Sequence, residues 1–159
     1  SERQCPLCGM AGATVELQTV KALLMETALA RLQLTHHRFC GEPGCDVVYF
    51  DDAGGTFVAT DIRVPVWQKQ PAGARMICYC FAESESTIRD EMARVGASRA
   101  VQRVRAHIEA RRCACDVRNP RGACCLGDVI AAVRRAETPG RAGEDESCQS
   151  ATESAKSRA

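Results

Sequence analysis

Four thiols fall within the thirteen residues Cys113-Ala-Cys-Asp-Val-Arg-Asn-Pro-Arg-Gly-Ala-Cys-Cys125, and a further pair, Cys78-Tyr-Cys80, lies upstream across a stretch of helical periodicity. A rigid Asn119-Pro120 and a permissive Gly122 separate the thiols, just ahead of an apolar-periodic segment. No other feature constrains the fold as strongly. Soft thiolates on short turns suit zinc or an iron–sulfur cluster far better than they suit a hydrophobic core.

The chain has 159 residues and eleven cysteines: Cys5, Cys8, Cys40, Cys45, Cys78, Cys80, Cys113, Cys115, Cys124, Cys125 and Cys148. That length serves one ordinary domain, or two small units that each need a staple because neither buries much apolar area alone. Ser1-Glu-Arg-Gln-Cys5 shows no apolar signal core, and Cys-x-x-Cys and Cys-x-Cys spacings suit metal-bound thiolates in a reducing cytoplasm better than a secreted disulfide framework. A cytoplasmic protein is expected, since no run approaches the roughly eighteen apolar residues of a membrane span. A net charge of +1, with basic and acidic residues interspersed, leaves no footprint for nucleic acid. One Trp, two Tyr and four Phe are too few for a base-stacking surface. Arg103, Arg105, Arg111 and Arg112 recur at helical spacing and read as a solvated helix face.

The chain divides into residues 1–70, 71–136 and 137–159. In the first part, Cys5-Pro-Leu-Cys8-Gly9 has the outline of a zinc knuckle: Pro stiffens the turn and Gly tolerates positive φ, so that backbone N–H groups can point at the sulfurs. Thr19 is a candidate N-cap for one amphipathic helix carrying Val20, Leu23, Leu24 and Ala28. Cys40-Gly-Glu-Pro-Gly-Cys45 is a second thiol turn, followed by a strand over Val47–Phe50 and a hairpin return over Thr56–Val58. A further extended piece is expected from Ile62 to Trp67, with Pro65 marking an edge. After Pro71–Ala74 come three predicted helices: Thr87 to Val95, capped by Ser84 or Ser86 and stopped by Gly96; Arg99 to Ala110, capped by Ser98; and Leu126 to Arg135. From Glu137 the sequence lacks large apolar residues and is expected to be a disordered tail, with Cys148 an incidental thiol. The expected class is α+β: a small zinc-ribbon-like β module with one helix, then a small helical metal-binding module.

Cys5, Cys8, Cys40 and Cys45, spaced Cys-x2-Cys and Cys-x4-Cys on two Gly/Pro turns, make a four-thiolate set that suits structural zinc. The second set offers Cys78 and Cys80 with a choice among Cys113, Cys115, Cys124 and Cys125. His36-His37, ahead of Cys40, reads as a pair of exposed histidines at a strand entry, with an auxiliary ligand role as the alternative; His107 reads as solvated. Met25 and Met92 fit helix faces, whereas Met76, two residues before Cys78, is soft enough for Cu(I). No Ser/His/Asp arrangement, phosphate-cradling glycine motif or His-Glu-x-x-His occurs, so no enzyme is expected.

Cys78-Tyr-Cys80, with more cysteines beyond two short helices, resembles the [2Fe–2S] domain of bacterioferritin-associated ferredoxins. Cys5-Pro-x-Cys8, Cys40-x4-Cys45-Asp-Val-Val-Tyr-Phe50, Cys78-Tyr-Cys80 and Asn119-Pro-x-Gly-x-Cys-Cys125 together are similar to the N-terminal region of CopZ-type copper chaperones. That resemblance implies zinc on Cys5, Cys8, Cys40 and Cys45, and a [2Fe–2S] cluster on Cys78, Cys80, Cys115 and one of Cys124 and Cys125. Cys125 is preferred because it opens the third helix, whose positive end favours an anionic thiolate. Cys115 is preferred over Cys113 because it holds the family's spacing to Asn119-Pro120. The implied role is metal binding with supply of an electron, for example to reduce Cu(II) to a Cu(I) cargo. A metal-transporting ATPase, another metal-binding protein or a reductase are the implied partners. The family's Met-x-Cys-x-x-Cys copper loop is missing from this sequence. A small electron carrier with structural zinc, or a metal-stapled interaction module, are the other readings.

Overall fold

The computed structural model describes residues 3–138. Short strands Ala13–Val15 (β1), His37–Phe39 (β2), Val47–Asp51 (β3) and Thr56–Val58 (β4) form an antiparallel sheet in the order β1-β2-β3-β4. Two helical turns, Leu17–Leu23 (α1) and Glu26–Leu29 (α2), cover one face. Val20, Leu23 and Leu24 from this layer pack with Phe39, Tyr49 and Phe57 from the sheet, and Ile62 and Val66 complete a first core. Asp51 fixes the β3–β4 turn by accepting from the backbone N–H of Ala53 at 2.9 Å and of Gly55 at 2.7 Å.

One continuous helix was expected after Thr19, and the structure has two. The Met25 N–H donates to the Asp61 carbonyl at 2.8 Å and the Arg63 N–H to the Leu23 carbonyl at 2.7 Å, so Leu24 is drawn into an extended bridge with Ile62. That pairing supplies backbone partners a helix would otherwise provide, and the helix breaks there. Thr19 lies inside α1, fully buried, where its hydroxyl donates to the Asp116 carbonyl instead of capping. Residues 62–67 contribute this single bridge rather than a strand, and Trp67–Lys69 forms a 3-10 turn.

The second half begins with a two-stranded ribbon, Met76–Cys78 (β5) against Glu83–Ser84 (β6), and continues through Glu85–Val95 (α3), Ala100–Glu109 (α4), Cys115–Arg118 (α5) and Leu126–Glu137 (α6). Ser84 caps α3 by accepting from the Thr87 N–H at 3.1 Å, and Gly96 ends it in the left-handed region at φ +80. Ile77, Ile88, Ala100, Val104, Val129 and Val133 form the second core, with Trp67 packed at its edge. The architecture is α+β, as expected. The expected tail and Cys148 lie outside the described residues, except that Glu137 closes α6.

Arg103 is exposed, as its spacing suggests, but it is not free in solvent. Its guanidinium donates to Glu83 at 2.6 and 3.1 Å and to both oxygens of Glu91 at 2.9 Å, joining β6, α3 and α4. Those hydrogen bonds from Arg103 hold the Glu91 carboxyl down at about 2. His107 also differs from expectation, stacking its ring on Phe81 at 3.7 Å. His37 is buried in β2 with Nδ1 2.8 Å from the Thr35 carbonyl, whereas His36 is exposed. No helix among the described residues is long and apolar enough to cross a membrane.

Candidate metal centres

Two turns at one end of the sheet bring the first thiol set together. The Cys5 N–H donates to the Met10 carbonyl and the Gly9 N–H to the Cys5 carbonyl, both at 2.8 Å, with Gly9 at φ +74. The second turn closes through the Cys45 N–H on the Glu42 carbonyl at 3.1 Å, and the Cys40 N–H joins it to β3 through the Val48 carbonyl at 2.8 Å. The sulfurs of Cys5, Cys8, Cys40 and Cys45 all lie within 4.8 Å of one another. Cys5 and Cys45 are 3.8 Å apart, and Cys8 and Cys40 3.7 Å. A zinc–thiolate bond of about 2.3 Å implies a tetrahedral edge of about 3.8 Å, so both pairs have the separation of ligands on one zinc ion.

The electrostatics favour a cation there. Burial raises the Cys5 thiol, but the backbone N–H groups of Cys8 and Leu7 at its sulfur outweigh that and the net shift is downward. Burial pushes the Cys40 thiol up to about 12, against the N–H of Glu42, and raises the Cys45 thiol as well. Buried sulfurs of this kind retain protons unless a metal replaces them. Lys69 Nζ donates to the Glu42 carbonyl at 2.6 Å and lies 3.9 Å from Cys40 Sγ, where its charge offsets part of the excess negative charge of a four-thiolate site. Sequence reading missed Lys69, because nothing near it in the chain points to a cysteine 29 residues away.

The second set is assembled by β5, α5 and the start of α6. Cys78 ends β5, and the following turn, with Ala82 at φ +57, aims the N–H groups of Cys80 and Phe81 at the Cys78 sulfur. The Ala114 N–H donates to Cys80 Sγ at 3.1 Å, and Cys80 and Cys115 sulfurs are 3.8 Å apart. Cys125, buried at the N-cap position of α6, shares hydrogen bonds with both Cys115 and Cys78. Those bonds draw the Cys115 thiol down to about 6 and the Cys78 thiol down to about 7, while Cys125, which keeps the proton between them, is raised. Burial pushes the Cys80 thiol up to about 11. Cys113 and Cys124 are exposed, and Met76 is half-buried on β5.

The loop from Cys115 to Cys125 rests on the first half of the molecule. Asn119 is buried and turns the chain, accepting from the Arg121 N–H at 3.1 Å and donating to the Ala123 carbonyl at 2.8 Å. Gly122, at φ +70, sits so close to α1 that a β-carbon there would fall 2.9 Å from Thr19 Oγ1. The Tyr49 hydroxyl donates to the Pro120 carbonyl within the same loop.

Residues 2–63 match the model of the CopZ zinc-binding domain family. No match is found among curated proteins. Among solved structures, the chain is similar to the crystal structure of the N-terminal domain of CopZ from Archaeoglobus fulgidus. The two share 26% identity at a TM-score of 0.66, over 80% of this chain and 95% of that one. The family match and the four-cysteine geometry agree on a CopZ-type zinc-binding domain at the N-terminus.

Proposed function

We propose that the chain is a metallochaperone-like protein of soft-metal trafficking, copper first among the candidate cargoes. In this reading it carries zinc on Cys5, Cys8, Cys40 and Cys45 and a [2Fe–2S] cluster on Cys78, Cys80, Cys115 and Cys125. The observation that supports the cluster is the convergence of exactly four of the second set's six thiols, with Cys113 and Cys124 left outside. Among the described residues the first set alone gathers three or more ligand atoms within 4.8 Å. A more spread second set suits two irons sharing four thiolates rather than one zinc ion.

When bound, the cluster supplies one electron, so that Cu(II) becomes Cu(I) as the reduced cluster is oxidised. The protein's own contribution is positional. Backbone N–H groups at Cys78, Cys80 and Cys115 stabilise thiolate sulfur, and the positive end of α6 does the same at Cys125. In this reading the chain is a cytoplasmic carrier rather than an enzyme, with a metal-transporting ATPase or another metal-binding protein receiving the cargo and a reductase recharging the cluster.

The test is anaerobic purification with iron, sulfide and zinc counted on one sample, followed by titration of the reduced protein with Cu(II). Two irons, two sulfides and one zinc per chain, with one Cu(I) formed per cluster oxidised, are expected. A colourless chain that takes no iron and sulfide on reconstitution would sink the cluster. A cluster that cycles without reducing Cu(II) would make the chain an electron carrier with structural zinc.

A further inference from the structure

A tyrosine hydroxyl ties each loop that carries the second thiol set to the zinc half, and the Cys115–Cys125 loop is also held by the Thr19 hydroxyl at the Asp116 carbonyl. Tyr79 stands between Cys78 and Cys80; its hydroxyl donates to the Pro65 carbonyl at 2.6 Å and accepts from the Trp67 N–H at 2.9 Å. Trp67 opens the 3-10 turn that ends at Lys69, and Lys69 reaches back to Cys40 Sγ and the Glu42 carbonyl inside the second thiol turn. The other loop hangs from Tyr49, whose hydroxyl donates to the Pro120 carbonyl between Cys115 and Cys125. Tyr49 follows Val48, and the Val48 carbonyl accepts from the N–H of Cys40. Both routes therefore start at the turn from Cys40 to Cys45, whose two sulfurs are buried.

These contacts have an energetic consequence. Tyr49 is fully buried, so a Pro120 carbonyl that loses its hydroxyl partner is left unsatisfied, which weakens the hold on the loop. If the thiol turn relaxes, β3 and the turn at Lys69 relax with it, and the two cluster loops lose their common reference. Cluster binding in turn holds those loops and, by linkage, the zinc turn.

We propose that zinc occupancy of Cys5, Cys8, Cys40 and Cys45 governs retention of the cluster on Cys78, Cys80, Cys115 and Cys125. Tyr49 and Tyr79 are the positioning residues that carry this coupling, and zinc loading is the first step of maturation. This rests on the cluster reading above.

The chain is refolded without oxygen, with or without Zn(II), then supplied with Fe(II) and sulfide, and metals are counted on every sample. Decay of the visible chromophore under a ferrous-selective chelator gives the cluster half-life. Zinc-loaded wild type is expected to hold the cluster about tenfold longer than the zinc-free chain, within the usual range of coupling between sites. The Tyr49→Phe/Tyr79→Phe double variant is expected to keep one zinc per chain, to lose its cluster about tenfold faster, and to show less than about a threefold effect of zinc. Tyr79→Phe alone, which removes a half-exposed hydroxyl and leaves the core untouched, is expected to fall between. Equal half-lives with and without zinc in the wild type would overturn the coupling, as would a double variant that retains the full zinc effect. If zinc-loaded wild type takes up no iron and sulfide at all, the cluster reading itself fails, and the coupling with it.

Discussion

The two halves of the molecule use cysteine in opposite ways. In the first, Cys5, Cys40 and Cys45 form a small cluster with Val47 and Phe50 that stands apart from the main apolar core beneath the sheet. In the second, Cys78 and Cys125 are members of the helical core itself, beside Ile77, Ile88 and Val129. A thiol turn set away from the core has little besides its metal to hold it. A buried thiol among aliphatic side chains packs as a small hydrophobe even when it binds nothing. The first site is thus a staple at the rim of a short-stranded sheet, and the second is built into the packed helical core.

The largest expected effect is that of removing zinc. Structural zinc contributes about 10–16 kcal/mol in peptides that have no other core. Here the core beneath the sheet supplies part of the stability, so a loss of several kcal/mol is expected, concentrated in the two thiol turns, in β3 and in the turn at Lys69. Hydrogen exchange on the chelated protein checks the distribution: the amides of Cys5, Gly9 and Cys45 should lose protection while those around Ile88 and Val104 keep most of theirs. Uniform loss would mean that the molecule unfolds as one unit and that its two ways of using cysteine do not matter to stability.

Ile88→Ala probes the other half. Ile88 is fully buried between α3 and its neighbours, so truncation leaves a cavity worth about 2–5 kcal/mol. Denaturant unfolding should show that loss, and zinc content should stay at that of the wild type. Zinc loss on this substitution would show that the helical core supports the zinc turns. Gly122→Ala should cost about 2 kcal/mol, because an alanine is strained at φ +70 and its β-carbon meets Thr19. Its signature is local: the Cys115–Cys125 loop should become susceptible to proteolysis while α3 and α4 remain protected.

The helices of the second half were legible because their signals are local. Ser84 and Gly96 bracket α3, and Val129 and Val133 fall on one face of α6. The sheet was only half legible. β3 and β4 announce themselves by a β-branched and aromatic run with an Asp51-Asp-Ala-Gly-Gly55 turn, but β1 and β2 are three residues each and present no alternation to read. The break between α1 and α2 depends on pairing with residues 61–63, 38 positions away in the case of Leu24 and Ile62, and no local pattern encodes it. The thiol sets follow the same division. Cysteine spacing marks Cys5, Cys8, Cys40 and Cys45 as a group, and the structure gathers them; spacing alone could not choose among the six thiols of the second set. Lys69, Tyr49 and Tyr79 touch distant turns, and only the fold reveals what they hold. The carboxylates that Arg103 pairs with, 20 and 12 positions away, lay beyond any local pattern for the same reason.

Acid sharpens the difference between the halves with the smallest effect. Protons compete with zinc for thiolates, so the first half should fail as metal leaves. The second carries Glu91, whose carboxyl Arg103 holds at about 2 against an ordinary value of 4.5. A carboxyl depressed on folding contributes stability that is fully present above its unfolded value and is lost as pH falls through its folded value. The Glu91 contribution should therefore decline between about pH 4.5 and about pH 2. Arg103 is partly exposed, which screens the pair, so Glu91→Gln should cost about 1 kcal/mol at neutral pH. The measurement is the stability difference between wild type and variant at each pH, starting both proteins free of metal so that zinc loss cancels. A difference that shrinks toward zero below pH 4 assigns the ion pair to the helical half's stability. A constant difference would mean that Glu91 acts through its neutral hydrogen bonds to Ser98 and the backbone of Arg99, leaving the guanidinium a bystander.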